Sequence, residues 1–295
     1  MKKSLTIFTP TYNRANLLKR GYESLLRQTV KDFVWLIIDD GSIDNTKELV
    51  QNWINENQIH ISYIYKSNGG LHTGYNTAIN NIKTELCVCI DSDDYMPDDG
   101  VEKIINFWKA NGSNKVAGIL GLDFTLDNKP IGGYFPSHIK ELKIIEMAHK
   151  YKHYGDVKIV HRTELLKAVA PMPTFEGEKN FNPIYLFHLI DIKYPLLLLN
   201  DNLCFVEYQP LGMSDQIFKQ YVNSPRSFSE LRKLIMSRKE ASIKLKYRNA
   251  IHYVSSQIMI RNKNWLKESP QKLLTILAIP LGAILYLYIQ YKSKK

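Results

Sequence analysis

The acidic run Asp91-Ser92-Asp93-Asp94 directly follows the apolar stretch 86–90, LCVCI. Read as the tail of a strand, it puts Asp91 and Asp93 on one side, because strand side chains alternate. Two neighbouring carboxylates repel unless a cation lies between them. Hard divalent ions such as Mn2+ or Mg2+ take oxygen ligands and leave positions open for phosphate oxygens. The chemistry that suits such a pair is neutralisation of a departing diphosphate. The competing reading is a turn ahead of the next helix, with Met96-Pro97 as a natural bend.

Three further polar clusters carry related chemistry. Thr9-Pro10-Thr11-Tyr12-Asn13 offers a rigid turn, an aromatic face and polar edges, which suit stacking of a nucleobase. Asp39 can accept a hydrogen bond from a base N–H, and a buried carboxylate needs such a donor. Lys66 can meet a phosphate or a sugar, and Gly69-Gly70 lets the backbone approach closely. Singly, each has a plainer reading: Tyr12 as a surface turn, Asp40 and Ser42 as turn or cap residues, Lys66 as a solvated charge. Together they describe a nucleotide diphosphate site.

The elements that must position these clusters are legible as alternating patterns. Apolar runs at 5–9, 33–38 (FVWLII), 59–65, 86–90 and 116–122 read as strands. Helical spacing occupies 13–26, then a stretch from Asp44 to about 55, then 70–82, then from Asp98 or Asp99 to about 110. Continuous apolar strands alternating with helices predict a mostly parallel α/β sheet covered on both faces. In such sheets ligands bind beyond the carboxyl ends of the strands. TPTYNR, DDGS, KSNGG and DSDD all fall at those ends.

At these residues the chain resembles the family 2 glycosyltransferases of GT-A fold. The matching segments are TIFTPTYNRANLLKRGYESLLRQT, LIIDDGSIDNT, KSNGGLHTGYNTAI and CIDSDDYMPDDGVEKI, in the family's usual order and spacing. The resemblance implies an inverting transferase that uses a nucleotide-activated sugar, often UDP-linked, with Mn2+ or Mg2+. It implies nucleoside contacts at Thr9, Pro10, Tyr12 and Asp39, and further contacts near Lys66 and Asn76. Diphosphate and metal work would fall to Asp91 and Asp93, with Ser92 among the donor-binding residues. His72 and Gly74 are variations in the third loop that the sequence does not explain.

Inversion by single displacement needs a carboxylate to take the acceptor's proton. The family places this base in an acidic pair opening a helix, and here the region is FEGEKNFNPI, residues 175–184. Glu178 is the first candidate and Glu176 the second, with Asp156 and Asp191 as outsiders. In a related subgroup a glutamate stands after the proline, where this chain has Ile184. That departure motivates a second function, a non-catalytic nucleotide-binding subunit of a glycan-assembly complex. The candidates for a third metal ligand are His161 and His188, although both read first as ordinary histidines.

Charge divides the chain unevenly. The net charge is +10 over 295 residues, yet residues 219–295 hold 16 Lys and Arg against three Asp and Glu. Basic tails face nucleic acid or an anionic membrane, and no recognised nucleic-acid motif is present. Residues 227–265 read as a basic amphipathic helix, with Ser227 and Glu230 at capping-box spacing. Residues 273–291 carry no charge, and as one helix would span roughly 28 Å. Pro280 and Gly282 interrupt them, Lys272 precedes them, and Lys292, Lys294 and Lys295 follow. The expected organisation is a GT-A domain over 1–218 (donor half 1–115, acceptor half 116–218), a basic helical region over 219–269 and a membrane-associating helix over 270–295. The expected setting is the cytoplasmic face of the membrane, because residues 1–10 do not read as a signal peptide. The expected partners are a nucleotide-sugar donor, a lipid-linked or polysaccharide acceptor and anionic lipid. With 15 Gly, 12 Pro and three Cys, collagen-like and disulfide-framework classes are excluded. Cys87 and Cys89 fit a buried strand better than a metal site.

Overall fold

Apolar β-rich runs and helical repeats alternate along the first half of the chain, and each becomes an element of the computed structural model, which describes residues 3–207, 209 and 216–294. In chain order these are β1 (Leu5–Thr11), α1 (Ala15–Arg27), β2 (Phe33–Asp39), α2 (Thr46–Glu56), β3 (Ile61–Tyr65), α3 (Leu71–Asn81), β4 (Leu86–Cys89), α4 (Gly100–Asn111) and β5 (Gly118–Phe124). The second half adds β6 (Glu141–Leu142), α5 (Glu146–His149), β7 (Val157–Arg162), α6 (Thr163–Val169), α7 (Ile184–Asp191) and β8 (Leu196–Phe205). Six helices follow: α8 (Ile217–Asn223), α9 (Pro225–Ser237), α10 (Ile243–Ile260), α11 (Trp265–Glu268), α12 (Lys272–Leu277) and α13 (Ile279–Lys292). Lys295 and the first two residues lie outside the described residues.

The strands form one sheet in the order β3-β2-β1-β4-β7-β5-β8-β6. β1 pairs in parallel with β2 and β4, β2 with β3, and β5 with β8. The sheet is thus mostly parallel, as expected. One feature departs from simple succession: β7 inserts antiparallel between β4 and β5, and β6 closes the edge antiparallel to β8. The sheet core buries Leu5, Ile7, Phe33, Ile37, Leu86, Val88 and Ile119. Tyr22 of α1, Trp35 of β2 and Trp53 of α2 stack in it, with ring centroids 4.3 to 6.2 Å apart. Cys87 is buried in β4 as a strand residue, and all three cysteines are free.

The chain divides into two units. One comprises Met1–Gly69, Thr73–Pro171 and Lys193–Tyr208 and contains the whole sheet; the other comprises Gly70–His72, Met172–Ile192 and Gln209–Lys295. Residues 172–192 group with the C-terminal helices, so neither unit is a single continuous stretch of chain. That second unit has its own small core of Met236, Ala250, Tyr253, Val254 and Ala278.

Two expectations for this unit are corrected. The helix read over 227–265 is broken, α9 ending at Ser237 and α10 starting after Ser242, whose hydroxyl accepts from the Leu245 N–H. Ser227 and Glu230 form no capping box: α9 begins at Pro225, a residue whose missing N–H suits a helix's first turn. The uncharged tract is likewise split between α12 and α13, and no helix among the described residues is long and apolar enough to cross a membrane.

Candidate active site

The first two loops are locked to each other by short polar side chains. Asn13 adopts a left-handed φ of 52°, and its side-chain oxygen accepts the Ile43 N–H at 2.8 Å. Its own N–H reaches the Ser42 hydroxyl at 2.8 Å. Asp44 accepts from the N–H of Ala15 at 3.1 Å and from the N–H of Thr46 at 3.1 Å, so one carboxylate serves the starts of α1 and α2 together. Burial alone would raise its pKa, but the Thr46 hydroxyl and these backbone donors hold it below the usual carboxylate range. Within this scaffold Tyr12 is exposed.

Three of the residues expected at the donor site also have partners within the chain. The Thr9 hydroxyl donates to the Ile90 carbonyl at 2.8 Å and accepts from the Trp35 indole at 3.0 Å, so it braces β1 inside the core. Asp39 is fully buried, and the donors a buried carboxylate needs come from the chain itself. The Tyr63 hydroxyl donates to it at 2.5 Å and the Ser42 N–H at 2.7 Å. Lys66 is not a spare cation either. Its ammonium donates to Asp40 at 2.5 Å, to the Ser67 carbonyl at 2.6 Å and to the Thr73 hydroxyl at 2.8 Å, which uses all three N–H bonds. Asp40 in turn accepts from the Gly69 N–H at 3.0 Å. The second and third loops are thereby tied by an ion pair that the sequence displayed only as two separate charges.

Pro10 is buried, and Gly74 of α3 explains itself there: a Cβ on Gly74 would stand 3.3 Å from the Pro10 ring. Asn76 lies half-buried two residues further along the same helix. Gly70, at φ +92°, sits where a Cβ would overlap the Lys179 carbonyl oxygen at 1.9 Å, so only glycine fits. His72, in the same unit, is buried and tilted against Phe181 with centroids 6.4 Å apart.

The acidic run is a turn rather than a strand end. Asp94 N–H closes it on the Asp91 carbonyl at 3.0 Å, so turn geometry, not pleat alternation, sets where Asp91 and Asp93 stand. Asp91 remains exposed, with the Cys89 thiol 3.6 Å from it. Two arginines of the first helical segment, unforeseen from sequence, hold the turn. Arg14 lies 3.2 Å from the Asp93 carboxylate and donates to the Ser92 hydroxyl at 3.1 Å. Arg20 donates to the Asp93 carbonyl, pairs with Glu207 and lies 4.9 Å over the Tyr95 ring. Ser92 itself is buried beneath Arg14.

Behind the turn sits a buried charge cluster. Lys158 of β7 lies 3.4 Å from Asp94 and 3.6 Å from Asp123 of β5. Burial pushes the Asp94 carboxyl up to about 7 and Asp123 up to about 6, with Lys158 opposing both shifts. Lys158 itself is held protonated against its own burial by these acids. No group of three or more His, Cys, Asp or Glu among the described residues is placed to hold a metal ion. Asp91 and Asp93 are the residues that would hold a divalent ion here, and such an ion would supply charge neutralisation. The all-oxygen donor set suits Mg2+ or Mn2+, and Arg14 on Asp93 shows that this carboxylate accepts a cation. His161 lies in the middle of the sheet, paired between Cys87 and Gly118, and His188 is buried on α7; both are core histidines.

The second unit holds the proposed base region. Glu178 is buried, and its carboxylate accepts from the backbone N–H groups of Arg226 and Ser227 at 2.8 Å each and from the Ser227 hydroxyl at 2.7 Å. It caps the start of α9, as carboxylates do at helix N-termini. Glu176 is exposed two residues earlier, beside Gly177 at φ +79°. Asp191 is buried in a 3.0 Å ion pair with Arg238, so it cannot meet an acceptor; Asp156 is exposed in the first unit.

Polar loops at the strand ends and a braced acidic turn make this edge of the sheet the candidate ligand site. Residues 6–134 match the sequence profile of Glycosyl transferase family 2, and that stretch is a domain of this family. Chondroitin synthase of Pasteurella multocida is 39% identical over 98 residues, 33% of this chain and 10% of that protein. The poly(ribitol-phosphate) beta-N-acetylglucosaminyltransferase TarP of Staphylococcus aureus is 30% identical over 123 residues, 41% of this chain and 38% of TarP. The chain thus spans well under half the length of these relatives. Among solved structures, S. aureus TarS 1-349 in complex with UDP-GlcNAc superposes with a TM-score of 0.61 at 15% identity, covering 98% of this chain and 88% of that one. Mannosyltransferase PcManGT from Pyrobaculum calidifontis, in complex with GDP-Man and Mn2+, gives 0.59 at 14% identity, with the same coverage. The fold is the GT-A fold of these neighbours.

Proposed function

We propose that this protein is a metal-dependent glycosyltransferase. It moves a sugar from a nucleotide-diphosphate donor, a UDP-sugar first, with inversion, onto a glycan or lipid-linked acceptor in cell-surface glycan synthesis. The observation that carries this reading is the acidic turn Asp91–Asp93, with Asp91 exposed, braced by Arg14 and Arg20 within the stretch that matches the family. The relatives, a chondroitin synthase and a poly(ribitol-phosphate) beta-N-acetylglucosaminyltransferase, and the UDP-GlcNAc bound to TarS support it. A bound divalent ion would supply charge neutralisation of the diphosphate. The chain's own residues do the rest. Tyr12 presents an aromatic face to the base, and the two arginines keep the acidic turn in place. The acceptor oxygen bonds to the anomeric carbon while the bond to diphosphate breaks with its electron pair. The acceptor's proton passes to a carboxylate, and Glu176 takes that role, because Glu178 is engaged in capping α9.

A panel of nucleotide sugars with Mn2+ or Mg2+, read as released nucleoside diphosphate, tests the proposal. One donor should turn over, and Asp91→Asn should slow it at least about 100-fold, the loss expected when a stabilising charge is removed. Absence of turnover with every donor and metal, alongside retained nucleotide binding, would favour the second reading of a non-catalytic subunit. Ile184 and the engaged Glu178 are the observations on that side.

A further inference from the structure

Helices α12 and α13 present two unlike sides. The inner side fits α10 of the same unit. Thr275, Ala278 and Ile289 are buried, and a Cβ on Gly282 would come within 2.5 Å of the Val254 side chain. Tyr247 of α10 also donates its hydroxyl to the Leu277 carbonyl at 3.2 Å. The outer side carries Leu273, Leu277, Leu281, Ile284, Leu287 and Tyr291, with relative exposures from 46% to 71%. On α13 the spacings of three, three and four residues from Leu281 to Tyr291 make one helical stripe, and on α12 Leu273 and Leu277, four apart, share a face. A monomeric protein in water rarely leaves so long an aliphatic strip uncovered.

Positive charge frames the stripe. Lys272 precedes it, and Lys292 and Lys294 follow it, with the Lys292 ammonium 5.9 Å from the Tyr288 ring centre. On α10, one turn before the residue that holds Leu277, Ile243 and Lys244 are both exposed. Residues 219–295, to which the stripe belongs, hold 16 basic against three acidic residues. A second copy of this chain would bring a like charge against it, which opposes pairing. Crossing a bilayer is also excluded for α13 as it stands, since its 14 residues reach only about 21 Å against a core of roughly 30 Å, and one side is already used against α10.

We infer that the α12–α13 stripe is an in-plane docking face for an anionic lipid surface. Its aliphatic side chains enter the acyl boundary and the flanking lysines meet lipid phosphates. The inference rests on the second unit alone and stands whether or not the chain turns over a sugar donor.

The test is co-sedimentation of the full-length protein with vesicles of phosphatidylcholine alone and of phosphatidylcholine with one quarter phosphatidylglycerol. The protein should bind the mixed vesicles at least tenfold more tightly than the neutral ones, and 0.5 M NaCl should weaken that binding. Leu281→Gln, Ile284→Gln and Leu287→Gln together should reduce binding at least tenfold while leaving the thermal unfolding midpoint within a few degrees, because all three residues are exposed. Lys272→Glu, Lys292→Glu and Lys294→Glu should abolish the preference for anionic lipid. Failure to bind either vesicle overturns the inference, as does binding that the glutamine variant leaves unchanged. A dimer in solution that the glutamine variant converts to monomer would assign the stripe to a second copy instead.

Discussion

Lys158 and Asp94 form a 3.4 Å ion pair under the acidic turn, each side chain no more than 10% exposed. The two lie 64 residues apart, and β7 delivers the lysine because it inserts beside β4. Asp123 stands 3.6 Å away on the neighbouring β5, so one ammonium balances two buried carboxylates. Removing one partner of a buried pair leaves charge uncompensated, at a loss of about 3–5 kcal/mol. Lys158→Met should therefore destabilise the fold by that order in urea unfolding. Adding Asp94→Asn and Asp123→Asn should recover much of the loss, and no recovery would mean that packing of the lysine stem dominates.

Lys66 offers a clean separation of structure from binding. Because its three N–H bonds go to Asp40, Ser67 and Thr73, Lys66→Met should lower stability by about 1.5–3 kcal/mol, the range for hydrogen bonds to charged groups. A raised KM for donor with an unchanged unfolding midpoint would instead make Lys66 a ligand contact.

The two glutamates of the FEGEK segment should part company. Glu178→Ala removes the acceptor for two N–H groups at the start of α9 and should destabilise the protein by about 1–2 kcal/mol. Glu176→Gln should leave the unfolding curve unmoved and, if Glu176 takes the acceptor's proton, lower kcat while nucleotide binding persists. Loss of kcat in Glu178→Gln with full stability would return the base to Glu178.

Acid should unfold this protein through its buried histidines. Burial lowers the pKa of His161 to about 3, His188 to about 4 and His252 to about 3, against an ordinary value of 6.5. A base with a depressed folded pKa takes up its proton more readily when unfolded, so stability is lost as pH falls from 6.5 toward these values. For His161 alone the loss between pH 6.5 and 5 is on the order of 2 kcal/mol. His161→Gln should flatten the acid limb of a stability–pH curve by about that amount. An unchanged limb would show that His161 is protonated or solvated in the folded state.

Local chemistry explains why so much was legible. The strands 33–38 and 86–90 are almost wholly apolar, so burial on both faces follows from composition, and β2 and β4 fall within a residue of them. The loops are legible for the same reason: Pro10, Gly41, Gly70 and the acidic clusters punctuate the chain at the strand ends. Arg14 and Arg20 were hidden because an arginine on a helix reads as a solvated charge. Only the folded chain shows that the two converge on Ser92 and Asp93.

By itself the sequence determined the alternation of elements, the edge of the sheet where polar loops gather and the cationic, apolar character of its last quarter. All of these follow from residue type and short-range period. Tertiary structure alone decided that Thr9, Asp39 and Lys66 brace the scaffold and that Glu178 caps α9. It also decided that the uncharged tract folds as two short helices with one side against α10. The physical reason is common to these cases. A polar side chain's role depends on which distant donor or acceptor reaches it first, and contacts between residues tens of positions apart have no signature in local pattern.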